Sequence, residues 1–224
     1  MKTILVSGSS SGIGFAICEE SKKQGHNVIG ISRNINSQAT ELGIRSYSVD
    51  VTNQNQINEL VNNLTSENIT IDILINNAGL LIKDKFRDTT DDTFKKVYDV
   101  NVFGLANLTR ALLPIINTDG QVINISSIGG VNTSKKFPGL SAYASSKGAL
   151  ITLTEVLAEE YRSRPRFNCL ALGSVKTKML AEAFPGYEAK ITPDEMAKQI
   201  LDFAFDQNNT RNGEIITLDK GNLE

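Results

Sequence analysis

Apolar, strand-like runs alternate with amphipathic, helix-like stretches along the whole chain. The apolar runs are rich in Val and Ile and mostly lack polar alternation, which is typical of strands buried on both faces. These runs are Thr3–Ser7, Asn27–Ser32, Arg45–Val49, Ile71–Asn76, Gln121–Ser126, Arg166–Leu172 and Glu214–Leu218. Helical patterns separate them at about 12–24, 53–66, 90–113, 141–163 and 193–206, with a short turn near 37–42. The alternation predicts an α/β fold: a doubly wound parallel sheet of about seven strands with helices on both faces.

Capping signals support two of the predicted helix starts. Thr192-Pro193-Asp194-Glu195 combines a capping box with proline at the first helical position, and Thr89-x-x-Asp92 is a weaker version. The chain has no internal repeat and no linker-like stretch, and 224 residues suit one large core. We therefore expect one domain over residues 1–224.

Charge and residue counts exclude several classes of protein. The net charge is −2, from 23 basic and 25 acidic side chains, which gives no electrostatic footprint for nucleic acid or a membrane surface. No segment approaches the ~20 apolar residues of a membrane span, and the first residues do not resemble a signal peptide, so the cytoplasm is the expected location. His26 is the only histidine, and Cys18 and Cys169 form no Cys-x-x-Cys pair. We expect neither a metal site nor a Ser-His-Asp triad.

A glycine-rich segment follows the first strand and leads into the first helix. Its sequence is Ser7-Gly8-Ser9-Ser10-Ser11-Gly12-Ile13-Gly14. Glycines there let the backbone approach a pyrophosphate, and the helix N-terminus adds N–H donors and partial positive charge. A plain tight turn is the alternative, but the position after the first strand of an alternating pattern favours a dinucleotide site. The sequence therefore predicts a Rossmann-type domain that binds a dinucleotide at the end of its first strand.

The end of the second strand bears on which nicotinamide dinucleotide would bind. An acidic residue there would favour NAD by binding the ribose 2′-hydroxyl. This chain has Ile31-Ser32-Arg33-Asn34 instead, and the Arg33 guanidinium can pair with a 2′-phosphate. We expect NADP(H), with NAD(H) as the alternative cofactor and an ordinary exposed loop arginine as the alternative interpretation of Arg33.

Tyr143 and Lys147 are spaced to share one face of a helix. A tyrosine with its ordinary pKa near 10 is a poor acid–base catalyst at neutral pH, and a neighbouring ammonium group would lower that pKa. An exposed helical pair is the other interpretation. However, only Tyr143, among five tyrosines, has lysine four residues later.

Taken together, the motifs resemble the short, single-domain branch of the short-chain dehydrogenase/reductase family. They are Ser7-Gly8-x-x-x-Gly12-x-Gly14, Asp50-Val51, Asn76-Asn77-Ala78-Gly79, Asn101, Ser127, Tyr143-x-x-x-Lys147 and Leu172-Gly173-x-Val175-x-Thr177. The resemblance implies that Tyr143 donates a proton and Ser127 binds the substrate oxygen. It also implies that Lys147 holds the nicotinamide ribose and that Asn101 holds a water of the proton relay.

The same resemblance implies a set of nucleotide-binding residues. Asn77-Ala78-Gly79 would lie beside the adenosine, Asp50-Val51 beside the adenine, and Val175 and Thr177 beside the nicotinamide. The expected cofactor-binding residues are Gly8, Ser10, Ser11, Gly12, Ile13, Gly14, Ser32, Arg33, Asn34, Asp50, Val51, Asn77, Ala78, Gly79, Val100, Tyr143, Lys147, Gly173, Val175 and Thr177.

The sequence departs from the family pattern in several places. Ser7 replaces a threonine, and no basic residue occupies Ser9–Ser11. Leu172 replaces a proline, and this replacement would affect the nicotinamide-side loop. Ser127 and Tyr143 are further apart than usual, so residues 131–137 are expected to bulge at the pocket mouth; otherwise Ser126 or Ser134 could take the serine role. The segment between Thr177 and Thr192 is short for a lid, which indicates an open or small pocket.

The expected activity is NADP(H)-dependent interconversion of a carbonyl and an alcohol, as in a ketone or 3-oxoacyl reductase. A non-catalytic NADP(H) sensor or scaffold is the alternative, and a sugar-nucleotide epimerase or dehydratase is disfavoured by chain length and glycine spacing. A homodimer or homotetramer is expected by resemblance. Basic residues near the pocket mouth indicate either an anionic or carrier-bound substrate or a solvated rim. These residues are Lys83, Lys85, Arg87, Lys135, Lys136, Lys176 and Lys178.

Overall fold

A computed structural model describes residues 1–132, 134–162, 164–206, 208 and 210–219. Within these residues, seven parallel strands form one sheet in the order β3-β2-β1-β4-β5-β6-β7. The strands are β1 Thr3–Ser7, β2 Asn27–Ser32, β3 Arg45–Ser48, β4 Ile71–Asn76, β5 Ile116–Ser127, β6 Arg166–Leu172 and β7 Ile215–Leu218. The predicted doubly wound parallel sheet is confirmed.

Helices follow the strands on both faces of the sheet. They are α1 Gly12–Lys23, α2 Ser37–Glu41, α3 Gln54–Ser66, α4 Asp91–Tyr98, α5 Leu105–Leu112, α6 Ser141–Glu160, α7 Lys178–Ala183 and α8 Pro193–Phe205. The capping box is present, since Thr192 Oγ1 accepts from the backbone N–H of Glu195 and the Glu195 carboxylate accepts from that of Thr192. The start of α4 differs from the prediction, because Thr90 rather than Thr89 caps the helix. The Thr90 hydroxyl oxygen accepts a hydrogen bond from the backbone N–H of Thr93.

Two apolar layers form the core, one on each face of the sheet. Successive residues of a strand point to opposite faces, so Val6 packs in a cluster with Ile17 of α1 while Leu5 packs in the other with Leu60 of α3 and Leu108 of α5. Among the described residues, no helix has the length and apolar character needed to cross a membrane.

The chain reverses its direction across the sheet between β1 and β4. From β1 it proceeds outward to β2 and β3, and then returns to the other side of β1 at β4. Ser7, the last residue of β1, ties the two strand ends together. Its buried hydroxyl oxygen accepts from the backbone N–H groups of Asn77 (3.1 Å) and Ala78 (3.0 Å). Ligands of open α/β sheets bind at such a reversal, beyond the carboxyl ends of the strands.

The helix expected over 90–113 is interrupted. A wide, π-helical turn over Asp99–Gly104 separates α4 from α5, and it contains the buried Asn101. π-helical turns inside helices frequently occur at functional sites, because they take a residue out of the regular hydrogen-bond pattern.

Candidate active site

A cleft of about 660 Å³ opens at the carboxyl ends of the strands. Most of the predicted site residues line it. They are Gly8, Ser10, Ser11, Gly12, Ile13, Ser32, Arg33, Asn34, Asp50, Val51, Asn77, Ala78, Gly79, Val100, Ser127, Tyr143, Lys147, Gly173, Val175 and Thr177. Gly14 and Asn101 do not line it, and both residues are buried.

The glycine-rich segment passes close to the end of β4. Gly8 and Gly12 have φ values of 70° and 57°, which favour glycine. A Cβ atom at Gly8 would lie 2.8 Å from Cα of Ala78, and one at Gly14 would lie 2.2 Å from the backbone oxygen of Gly8. Gly14 therefore permits the packing of α1 beneath the loop and does not border the cleft.

The start of α1 has the donor groups that a pyrophosphate requires. Ser11, at the N-cap position, has extended backbone and makes no side-chain capping bond. The first N–H groups of the helix are thus not capped by Ser11, and the hydroxyls of Ser10 and Ser11 border the same cleft. This donor set, with the close backbone approach at Gly8, fits a dinucleotide phosphate group.

The loop after β2 is held by its backbone. Ser48 Oγ donates to the backbone oxygen of Arg33 (3.0 Å), and Ser32 Oγ donates to that of Asn34 (2.7 Å). The exposed Arg33 side chain borders the cleft. Asn36 is a residue that the sequence analysis missed. It caps α2 and donates to the backbone oxygen of Ser10 (3.0 Å), and an asparagine before a short helical stretch was the signal for it.

Asp50 borders the cleft, but its carboxylate is used within a turn. Its Oδ1 accepts from both the backbone N–H (2.9 Å) and the hydroxyl (2.8 Å) of Thr52. These hydrogen bonds explain the position of the Asp50 carboxylate without a ligand. A role for Asp50 beside adenine remains a prediction.

Tyr143 and Lys147 lie one turn apart on α6 and both border the cleft. The Nζ atom of Lys147 lies 5.9 Å from the centre of the Tyr143 ring. Lys147 is only 3% exposed, and its Nζ donates to the backbone oxygen of Ile125 (2.8 Å). Burial disfavours the charged form and lowers the pKa of Lys147 to about 8.

The pKa of Tyr143 differs from the sequence expectation. Burial raises the pKa of Tyr143 to about 12, and the hydrogen bond with Ser127 opposes that rise. We expected Lys147 to lower this pKa. In the structure the ammonium group is directed to Ile125, and desolvation of the phenolate dominates the Tyr143 pKa.

Ser127 is the serine that meets Tyr143. It ends β5, shares a hydrogen bond with Tyr143, and accepts from the backbone N–H of Gly129 (3.3 Å). Ser126 is buried and donates to the backbone oxygen of Lys147 (2.9 Å), whereas Ser134 donates to that of Val131 (2.9 Å). Neither alternative serine is therefore directed at the phenol.

Asn101 links the loop after β4 to α6. Its Oδ1 accepts from the backbone N–H of Leu80 (2.7 Å), while its Nδ2 donates to the Leu80 oxygen (3.0 Å) and to Ser146 Oγ (2.9 Å). Ser146 in turn donates to the backbone oxygen of Tyr143 (2.7 Å). A Cβ atom at Gly79 would lie 3.5 Å from both Asn101 Oδ1 and Lys147 Nζ, so these two polar groups face the same glycine.

The loop before α6 carries its own hydrogen bonds. Lys136 Nζ donates to the backbone oxygens of Gly129 (2.9 Å) and Val131 and lies 3.3 Å from Ser134 Oγ. These bonds hold the 3₁₀ turn Ile128–Gly130, which directly follows Ser127. Thr133, within the expected bulge, lies outside the described residues.

The part of the cleft next to α7 contains residues that the sequence did not indicate. The segment after Thr177, expected to leave the pocket open or small, forms α7 and a following turn that line it. The lining residues missed there and nearby include Leu80, Leu81, Ile128, Leu140, Met179, Leu180, Phe184 and Tyr187. Phe137, from the segment expected at the pocket mouth, also lines the cleft. The apolar residues closely spaced after a Thr177 cap were the available signal.

The basic residues expected at the pocket mouth do not act as one group. Of those seven side chains, only Lys178 borders the cleft, and it pairs with Glu182 at 3.8 Å. Lys83 lies over the ring of Phe184, 4.1 Å from its centre. In the part of the chain that the structure covers, no group of three His, Cys, Asp or Glu side chains is arranged to hold a metal ion.

Comparisons with known proteins agree with this architecture. Residues 2–188 match the family model described as short chain dehydrogenase. The oxidoreductase UcpA of Salmonella typhimurium is 36% identical over 89% of this chain and 80% of its own. The 3-oxoacyl-[acyl-carrier-protein] reductase FabG of Thermotoga maritima is 31% identical over 98% of this chain and 97% of its own.

Solved structures resemble the chain over almost all of its length. A short-chain dehydrogenase of Shigella flexneri complexed with NADP has a TM-score of 0.88 at 27% identity, covering 96% of both chains. A 4-hydroxyisoleucine dehydrogenase complexed with NADH has a TM-score of 0.84 at 29% identity, covering 98% of this chain and 97% of its own.

Proposed function

Because this chain belongs to the short-chain dehydrogenase family and is an NAD(P)-dependent oxidoreductase, we propose that it uses NADP(H) to interconvert a carbonyl and an alcohol. One observation carries the proposal: Ser127, Tyr143 and Lys147 border the same cleft as the glycine-rich segment. A nucleotide-binding protein without catalysis has no need for a phenol hydrogen-bonded to a serine beside a buried lysine.

We propose that the nucleotide lies along the cleft from Arg33 to Lys147. The glycine-rich segment and the start of α1 would hold the pyrophosphate, Arg33 the 2′-phosphate, and Lys147 the nicotinamide ribose. When bound, the reduced nicotinamide supplies the hydride. The residues Val175 and Thr177 would border the ring at that end of the cleft.

Tyr143 is proposed as the proton donor in the direction of reduction. The phenol of Tyr143 is protonated at neutral pH, which is the form that a general acid requires, but its raised pKa of about 12 makes it a weaker acid than an exposed tyrosine. Ser127 would donate a hydrogen bond to the substrate oxygen and stabilise the negative charge that develops on it. As the carbonyl carbon gains its new C–H bond, the oxygen takes the proton of Tyr143 and becomes the alcohol.

Lys147 and Asn101 are proposed to support that proton transfer. A Lys147 pKa of about 8 leaves most of these side chains charged at neutral pH, and the oxidised nicotinamide would add the positive charge that favours the phenolate left on Tyr143. Asn101 is proposed to hold the relay water and, through Ser146, to fix the start of α6 where Tyr143 lies.

Arg33 supports NADP(H) over NAD(H), because no carboxylate follows β2 to repel a phosphate. Of the similar structures, one holds NADP and another NADH. The FabG relatives act on 3-oxoacyl groups of an acyl-carrier protein by name. We therefore propose a ketone or a 3-oxoacyl compound, free or carrier-bound, as the substrate. We also propose a cytoplasmic homodimer or homotetramer.

A spectrophotometric screen tests the proposal. Purified protein is supplied with NADPH or NADH and a panel of simple ketones and 3-oxoacyl thioesters. The expected result is oxidation of NADPH with at least one carbonyl, and loss of that activity in Tyr143→Phe with NADPH binding retained. Tight NADPH binding without any turnover would instead indicate a sensor or scaffold.

A further inference from the structure

Apolar side chains enclose the end of the cleft beyond Ser127 and Tyr143. We call them the apolar wall: Leu81, Phe137, Leu140, Met179, Phe184 and Tyr187. They come from the loop after β4, the segment before α6, and α7 with its following turn. Three of them keep large exposed fractions, 37% for Phe137, 40% for Met179 and 55% for Tyr187. Exposed apolar surface gathered in a cleft is characteristic of a binding site for an apolar group.

The polar side chains of Ser174, Tyr187 and Lys178 at this end have partners, and the Asp219 carboxylate borders the cleft beside Gly173. Ser174 Oγ and the Tyr187 hydroxyl are hydrogen-bonded to each other at 3.0 Å, and Lys178 pairs with Glu182. Asp50 and Asn34 border the cleft at the opposite end, beside Arg33 and the adenine-side residues. Within the described residues, the apolar wall itself contributes no carboxylate, amide or imidazole group.

The three segments of the apolar wall are joined to one another. Lys83, from the loop after β4, lies over the Phe184 ring at 4.1 Å, a cation–π contact. The same lysine stem packs on Gly139, where a Cβ atom would lie 3.1 Å from Lys83 Cγ, and Asp84 N donates to the Gly139 oxygen (2.9 Å). These contacts hold the three segments together, so the apolar wall is one continuous surface.

These features discriminate between classes of carbonyl compound. A hydroxyl group buried against leucine, phenylalanine and methionine loses its water without gaining a partner, which is unfavourable. A methylene group in the same place gains free energy by leaving water. A polyhydroxylated substrate would have to place several hydroxyls against this wall.

We propose that the substrate carries an apolar alkyl or aryl group on its reacting carbonyl carbon, and that this group lies against the apolar wall. This inference rests on the proposed carbonyl–alcohol activity and narrows its substrate class.

Isosteric ketones provide the test. Diethyl ketone and dihydroxyacetone have the same number of heavy atoms, and in the second compound two hydroxyls replace two methyl groups. With wild-type enzyme and NADPH, kcat/KM is expected to be at least about tenfold higher for diethyl ketone. In a series of methyl ketones, each added methylene should raise kcat/KM about threefold to fourfold until the wall is covered.

Two variants at Met179 test whether the apolar wall causes the preference for apolar ketones. Met179→Ser should lower kcat/KM for a long methyl ketone about tenfold and weaken the dependence of kcat/KM on chain length. Met179→Leu is the matched control, because it preserves apolar volume, and it should keep the dependence on chain length.

The outcomes separate this inference from the proposed function. If ketones are reduced but dihydroxyacetone equals or exceeds diethyl ketone, or chain length has no effect, the apolar class is wrong and the reductase activity stands. If no carbonyl is reduced, the proposed function fails. In that case a thermal-shift titration of the NADP-loaded protein still decides the inference: stabilisation by a long methyl ketone supports it, and stabilisation by dihydroxyacetone alone overturns it.

Discussion

The Nζ atom of Lys147 donates a hydrogen bond to the backbone oxygen of Ile125 across 2.8 Å. Ile125 lies on β5, two residues before Ser127, so this bond fixes α6 to the strand that carries the serine. The lysine therefore has a positioning role in addition to its charge. Its burial also makes its protonation state responsive to pH near 8.

Removal of the Tyr143 hydroxyl should abolish catalysis and spare the fold. Tyr143→Phe is expected to lower kcat at least about 100-fold, because general acid catalysis typically contributes that much. Steady-state NADPH oxidation measures the loss, and fluorescence titration measures NADPH binding. Comparable losses of binding and turnover would contradict the proposed role.

The stability of the protein should reveal the buried Lys147 amine. An unfolded chain holds this proton up to the ordinary pKa of 10.5, whereas the folded protein releases it near pH 8. Between these values the unfolded state binds more protons, so the free energy of unfolding rises with pH. Lys147→Met removes this dependence. The free energy of unfolding of the wild type, relative to that of the variant, should therefore rise by up to roughly 3 kcal/mol from pH 8 to pH 10.5.

Urea unfolding of both proteins across that pH range measures the difference. The exposed Lys198 on α8 provides the control. Lys198→Met should follow the wild-type curve, and a flat difference between wild type and Lys147→Met would mean that the amine is not desolvated. The Tyr143 hydroxyl acts in the opposite direction from about pH 10 upward, because its pKa of about 12 exceeds its ordinary 10 and the folded state then binds more protons. Wild type and Lys147→Met both carry this hydroxyl, so its effect cancels in the difference between them.

Arg33 should determine the choice of nucleotide. Arg33→Ser removes a charge-assisted partner of the 2′-phosphate and is expected to raise KM for NADPH about tenfold to hundredfold. KM for NADH should change less than about twofold. Arg162→Ser, at an exposed arginine paired with Glu159, is the control and should change neither constant. Equal effects of Arg33→Ser on both nucleotides would show that Arg33 does not recognise the phosphate.

Two glycine substitutions should differ sharply in cost. A Cβ atom at Gly14 meets the Gly8 oxygen at 2.2 Å, so Gly14→Ala is expected to destabilise the fold by about 3 kcal/mol or more. Gly25 has φ 82° and open space around it, so Gly25→Ala should cost only about 1–2 kcal/mol of backbone strain. Chemical denaturation of both variants checks the order, which a similar loss at both sites would contradict.

Lys136 should affect turnover by holding the turn behind Ser127. Lys136→Met removes donors to Gly129 and Val131 and is expected to lower kcat about threefold to tenfold, with KM for NADPH unchanged. Lys135→Met, at the exposed neighbouring lysine, is the matched control. A kcat of Lys136→Met equal to that of the control would remove the positioning role, and recovery of kcat in Lys136→Arg would support it.

The parts of the fold that were predictable depend on local pattern. Strands of a parallel sheet that are buried on both faces are mostly apolar along their length, so β1, β4 and β6 could be located closely from sequence. The glycine segment was predictable because a close backbone approach needs glycine at Gly8 and Gly14 whatever surrounds them.

The remaining features depend on contacts between distant segments. The pKa of Tyr143 follows from how much of the chain covers it, which spacing to Lys147 does not encode. The apolar wall joins loops that are about a hundred residues apart, from Leu81 to Phe184. Asn36 contacts Ser10 only because α2 folds back over the glycine segment.

The wide turn Asp99–Gly104 fixes the rotational phase between α4 and α5. Each residue of an α-helix advances the side-chain direction by about 100°. Deleting one residue from the turn would therefore swing Leu108 and Leu112 out of the apolar layer against the sheet, or else pull Asn101 away from Leu80. A surface loop can absorb an insertion or a deletion, whereas a change of length in this turn would disturb either the apolar layer or the hydrogen bonds between Asn101 and Leu80.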